Sequence, residues 1–245
     1  MKIAFAVLAF AGACIAYAQL STQVRTAGPI LGGPFDAGIV TGRPFTADVL
    51  VENRQTLTDG SQVVNQQMVA AARDSQGRMR REEVRAMPGA GQQSKTVFIT
   101  DPVAQMTYVL GPDHVARRLP MPGSGSAPQT GQQVQHFSTS GTATGRMEPG
   151  DSKTESLGAQ TIAGVLADGS RTTFTIPAGA IGNQNPLAIT EERWYSRELQ
   201  ITLLSTHSDP RFGESSYRVT AIQQGEPPAS LFQIPSDYTV EANGK

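Results

Sequence analysis

The chain has 245 residues, 38% of them hydrophobic and only 17% charged. An average soluble domain carries roughly 25% charged residues, so this composition excludes a charge-driven disordered chain. A formal net charge of -1 and a pI near 6.3 exclude the global basic field that nucleic acid or anionic membranes attract. Gly and Pro, 25 and 16 residues, are too many for a helical bundle and too few for a wholly low-complexity chain.

Residues 1–18 read as a secretory signal peptide. Met1-Lys2 is a short positive start, Ile3 to Ile15 an uncharged apolar run, and Ala16-Tyr17-Ala18 a small-x-small cleavage site. The run falls short of the roughly 20 residues that span a bilayer, so no transmembrane span is expected in the mature chain. A retained anchor and lipidation at Cys14, behind the degenerate site Ala11-Gly12-Ala13, stay open as alternatives. Cleavage after Ala18 removes the single cysteine and with it all disulfide and thiol chemistry, and it places the protein in the periplasm or outside the cell.

Residues 19–43 form an extended lead-in punctuated by Gly28-Pro29 and Gly32-Gly33-Pro34. A β-rich domain over 44–240 follows. Phe45 to Val51 alternates with period two, Asp59-Gly60 turns the chain, and Val63 to Arg73 returns antiparallel. Asp74 to Gly77 is the next turn and Arg78 to Met87 a third strand, ended by Pro88 to Gly91. Lys95 to Thr100 and Gln105 to Leu110 form a hairpin around Asp101-Pro102, and Val115 to Leu119 is a short edge strand. Residues 120–154 are dominated by Gly, Pro, Ser and Thr, a long flexible loop that interrupts the domain or, alternatively, links two small ones. Thr161 to Ala167 and Ser170 to Ile176 flank a hairpin turn at Asp168-Gly169. Pro177 to Pro186 is an uncharged connection, and Ala188 to Ser196, Gln200 to Ser208 and Glu214 to Gln224 make a meander. Leu231-Phe232 is a last apolar anchor before Tyr238. Without a sustained 3.6-residue stripe, helix is short and terminal.

Motifs of catalysis are absent: no G-x-S-x-G elbow, no phosphate-wrapping G-x-x-x-x-G-K loop, no G-x-G-x-x-G after a strand. The three histidines, His114, His136 and His207, lie far apart and make no metal pair. Asp209 near His207 reads as a turn residue. Glu82-Glu83 and Glu191-Glu192 point to opposite faces of their strands and cannot share a proton; with the neighbouring arginines they read as exposed charges. The run Arg78 to Arg85 reads as an ion-pair ladder across strands, or as a patch for an anionic ligand, and Arg117-Arg118 is a second basic spot.

Trp194-Tyr195-Ser196 opening one strand, Gln200 to Leu204 in the next, and the closing run Ser230 to Val240 resemble the periplasmic outer-membrane lipoprotein carrier fold. Arg171-Thr172-Thr173, Ile176-Pro177-Ala178-Gly179, Glu192 to Ser196 and Asp209 to Gly213 are similar to a group of secreted bacterial proteins of unassigned function. The resemblance implies a mainly β fold, one curved antiparallel sheet forming an incomplete barrel, whose apolar concavity binds acyl chains under short helices. This sequence is poor in such helices. Alternating positions suggest Val49, Val51, Val97, Ile99, Tyr108, Leu110, Trp194, Ile201 and Leu203 as the lining, their phase unfixed because a one-residue slip moves a strand's whole set. The expected function is a non-catalytic exported binding protein for lipid or an acylated protein, with no cofactor, no metal and no nucleic acid. A cell-envelope interaction or sensory module and a hydrolase without a short motif are the other readings. The oligomeric state is not legible.

Overall fold

The computed structural model describes residues 38–86, 93–121 and 152–242. The signal peptide, most of the lead-in, the break at Pro88 to Gly91 and most of the expected loop lie outside the described residues.

The first half of the chain gives β1 (Phe45–Thr56), β2 (Gln62–Arg73), β3 (Met79–Ala86), β4 (Gln93–Asp101), β5 (Met106–Leu110) and β6 (Val115–Pro120). The second half gives β7 (Ser152–Ile162), β8 (Val165–Ile176), β9 (Leu187–Ser196), β10 (Ile201–Asp209), β11 (Gly213–Gln224) and β12 (Thr239–Ala242). All twelve belong to one sheet in the order β12-β6-β5-β4-β3-β2-β1-β11-β10-β9-β8-β7. It is a curved, mainly antiparallel sheet that does not close into a barrel. The two halves meet where β1 pairs antiparallel with β11, from Phe45 opposite Gln224 to Arg54 opposite Glu214. No α-helix occurs among the described residues; Ala229–Phe232 is a single 3-10 turn.

Turn chemistry explains most of the hairpins. Asp59 accepts a hydrogen bond from the Ser61 amide at 2.9 Å, and Gly60 takes φ of 82°. Asp101 accepts from the amides of Val103 and Ala104, both at 2.9 Å. Such side-chain caps replace the ladder bonds that the turn residues cannot make.

Three expectations are corrected. The hairpin between β7 and β8 turns at Ala163-Gly164, with φ of 48° and 83°, and Asp168-Gly169 lies inside β8. Gly169 is there for space: a Cβ on it would come within 2.5 Å of the Trp194 ring. Tertiary packing therefore places a turn-like dipeptide in a strand. Ser152 to Thr154, expected in the loop, begin β7. Val115 to Leu119 is not at an edge, because β12 pairs with β6 in parallel from Thr239 opposite Val115 to Ala242 opposite Arg118.

Candidate functional site

Directly paired residues on neighbouring strands share a face of the sheet, which sorts the expected lining. Val97 pairs with Glu82 and Leu110, and Ile99 with Tyr108. Val49 pairs with Val69, which pairs with Glu83. Glu82 and Glu83 are adjacent, so Val49 and Val51 lie on the opposite face from Val97, Ile99, Tyr108 and Leu110. Trp194 pairs with Leu204, Leu204 with Arg218 and Arg218 with Leu50, which puts Trp194 on the Val97 face. Ile201 and Leu203 lie at the β10 irregularity between Thr202 and Leu204 and are buried. The structure brings Val97, Ile99 and Leu110 into one buried cluster with Ala72, Ala116 and Phe232, with Tyr108 packed against it.

That cluster occupies one half of the Val97 face. The segment after β11 covers it: Leu231, Ile234 and Tyr238 pack on it beside buried Phe232. The other half holds a depression of about 340 Å³ over β1, β2 and β11. Thr46, Asp48, Ala70, Ala72, Ala221 and Gln223 make its floor, and Arg80, Glu82 and Leu231 its wall. A second depression of about 370 Å³ continues from it, sharing Asp48, Ala70 and Glu82 and reaching Gln66, Met68 and Val84. Large apolar side chains fill the space above a sheet; the alanines here leave it vacant. The spacing of small residues at Ala70 and Ala72 on one strand is the available sequence signal, and a search for bulky alternation does not register it.

The wall is charged. Arg80 pairs with Glu82 at 2.8 Å, and Lys95 reaches the same carboxylate at 2.7 Å. Burial pushes the Glu82 carboxyl up, but hydrogen bonds from Lys95 and Arg80 outweigh this and hold it below the usual range. The trough thus has a mixed floor, alanines beside Thr46, Asp48 and Gln223, with a fixed cationic and anionic rim.

The Lys95–Glu82 pair crosses from β4 to β3 as the expected ladder does, while the other charges of β3 pair along their own strand. Glu83 is not an exposed charge; it is 5% exposed and is flanked along its own strand by Arg81 at 3.1 Å and Arg85 at 3.3 Å. Arg81 also lies over the Phe98 ring at 4.6 Å. A three-strand ladder occurs on β7, β8 and β9, where Arg171 pairs with both Glu155 and Glu192. Of the basic spot on β6, Arg117 is paired with Asp113 at 2.6 Å.

His114 meets Asp237 at 2.9 Å at the surface. His207 stands opposite Glu191 in the β9–β10 register, and Asp209 is occupied by Arg211 at 2.6 Å. His136 lies outside the described residues. Among the described residues, no group of three or more His, Cys, Asp or Glu is placed to hold a metal ion. No helix among them is long and apolar enough to cross a membrane.

No family model matches the sequence, and no curated protein does. Solved structures are distantly similar. The MucA/MucB complex of Pseudomonas aeruginosa is 15% identical, covers 85% of this chain and 60% of that chain, and has a TM-score of 0.44. An uncharacterized conserved protein from Thermus thermophilus is 12% identical over 82% of this chain and 90% of that one, with a TM-score of 0.42. A LolA superfamily protein from Nitrosomonas europaea is 10% identical over 81% and 94%, with a TM-score of 0.30. The chain spans about three fifths of the MucB-containing chains it matches. All of these likenesses are distant.

Proposed function

We propose that this is an exported, non-catalytic binding protein that holds the acyl chain of a lipid or acylated protein in the trough over β1, β2 and β11. The observation that carries this reading is the depression over Ala70, Ala72 and Ala221, running up to the apolar Leu231 at its wall. Ligand sites are typically concave and mostly apolar with a few placed polar groups, and the Arg80–Glu82–Lys95 rim supplies those groups.

The test fills the trough. Ala70 and Ala221 are exposed, so Ala221→Trp adds bulk above the floor without entering the core. Wild-type protein exported to a bacterial periplasm is expected to release an acyl species on solvent extraction, at near one-to-one ratio, and Ala221→Trp to release much less. Equal yields from both proteins, or none from either, would contradict the proposal.

A second reading has its own observation. Among the described residues, the β7 edge, from Ser152 to Ile162, has one strand partner, β8. Its outward ladder is open to strand addition by a protein partner of the cell envelope. Deleting Ser152 to Ser156 would abolish such an interaction and leave lipid uptake unchanged.

A further inference from the structure

The two hollows of the trough meet at Asp48, Ala70 and Glu82, which line both. These residues form one row across the sheet. Asp48 is opposite Ala70 on β2, and Ala70 is opposite Glu82 on β3. On its other side Asp48 is opposite Ala221 of β11. Asp48 therefore stands between two alanines, which bring neither a hydrogen-bond donor nor bulk to cover a carboxylate.

The two acids of the row differ in what meets them. Glu82 takes Arg80 at 2.8 Å and Lys95 at 2.7 Å. Arg80 also donates from Nη1 to the Leu231 carbonyl at 3.1 Å. Asp48 is exposed, and among the described residues its carboxylate has neither an ion pair nor a hydrogen bond. The Thr220 hydroxyl donates to its backbone carbonyl instead, at 3.1 Å. Arg80, Glu82 and Lys95 together carry one net positive charge, and Asp48 carries one negative charge two strands away. A phosphate suits the first group and an ammonium the second. A carboxylate with all its acceptor positions open favours a cation that brings N–H donors, because charge-assisted hydrogen bonds are the strong ones. Apolar Met68 and Val84 in one hollow and Leu231 in the other leave room on either side of Asp48 for a chain.

We propose that Asp48 selects an acyl ligand whose headgroup carries a primary ammonium group beside its phosphate, the chemistry of an ethanolamine phospholipid. The proposal rests on the trough being the acyl site and names the headgroup that site prefers.

Isothermal titration of the whole chain separates headgroup from chain. The probes are twelve-carbon lysophosphatidylethanolamine and twelve-carbon lysophosphatidylglycerol, below their micelle concentrations. They share the chain and the phosphate, and only the first carries an ammonium. The ethanolamine lipid is expected to bind about fivefold tighter, the size of one exposed ion pair. Asp48→Asn keeps the shape of the side chain and is expected to bring the two probes to equal affinity by weakening the ethanolamine lipid. Exposed Glu191→Gln, outside the trough, is expected to keep the preference, with circular dichroism as the check on folding of both variants. Equal affinities in wild type, a preference that survives Asp48→Asn, or equal loss of preference in Glu191→Gln overturns selection by Asp48 and leaves the acyl site standing. Absence of saturable binding of both probes overturns the acyl site and the headgroup preference together.

Discussion

The turns at the two ends of the meander treat arginine in opposite ways. Between β10 and β11, buried Asp209 accepts from the Arg211 amide at 2.9 Å and from its Nη2 at 2.6 Å. The turn between β2 and β3 is built alike: Asp74, 1% exposed, accepts from the amides of Gln76 and Arg78 and from Arg78 Nε, at 3.0, 2.8 and 2.5 Å. Between β9 and β10, Arg43 and Arg73 meet only carbonyl oxygens. Aspartate-anchored turns close their charge within the chain and serve the fold. The β9–β10 turn instead offers its backbone carbonyls to two arginines from outside it.

That contrast can be broken by substitution, and the aspartates should matter most. Asp74→Ala removes three hydrogen bonds from a buried turn and strands Arg78, and it is expected to cost about 2–3 kcal/mol in urea unfolding. Asp209→Asn should cost about 1–2 kcal/mol near neutral pH. Its pH dependence has a definite sign. Hydrogen bonding from Arg211 holds the Asp209 carboxyl below its ordinary 3.8, so its stabilisation is present above that value and is lost as pH falls through the lower folded value. Wild type and Asp209→Asn should therefore converge in stability in strong acid; a constant gap across pH would break the assignment. Arg73→Met should cost less than Asp74→Ala, about 1 kcal/mol, because the lost carbonyl bonds are offset by relief of an uncompensated charge. Arg193→Gln should cost about 0.5–1 kcal/mol, since it removes a hydrogen bond to the buried Thr202 hydroxyl from an otherwise exposed side chain.

Much of this organisation was legible in residue order. The Asp59-Gly60 turn and the final meander gave strands within a residue or two of β2, β9, β10 and β11, while alternation from Phe45 to Val51 found the start of β1 and stopped five residues short of its end at Thr56. β7 was hidden for a physical reason: as an edge strand rich in Ser, Thr, Gly and Ala, it carries no apolar alternation. Its hairpin uses Ala163, a residue that seldom adopts positive φ, and the more turn-like Asp168-Gly169 was displaced into β8 by the Trp194 ring. The trough was the hardest to see. Alternation finds side chains that fill space, so it pointed to Val97, Ile99 and Leu110, which are buried under Phe232. A binding surface made of alanines leaves no such trace. Nor does sequence reveal which arginines find acids: the Arg78 to Arg85 run looked richest, yet Arg78, Arg80, Arg81 and Arg85 are all paired.

The most direct test of the carrier reading is an amide chemical-shift titration of the nitrogen-labelled full chain with a twelve-carbon lysophospholipid below its micelle concentration. Saturable shifts concentrated at Thr46, Asp48, Ala70, Ala72, Ala221 and Leu231 are expected. Shifts confined to the β7 edge, or none that saturate, would contradict an acyl site over β1, β2 and β11.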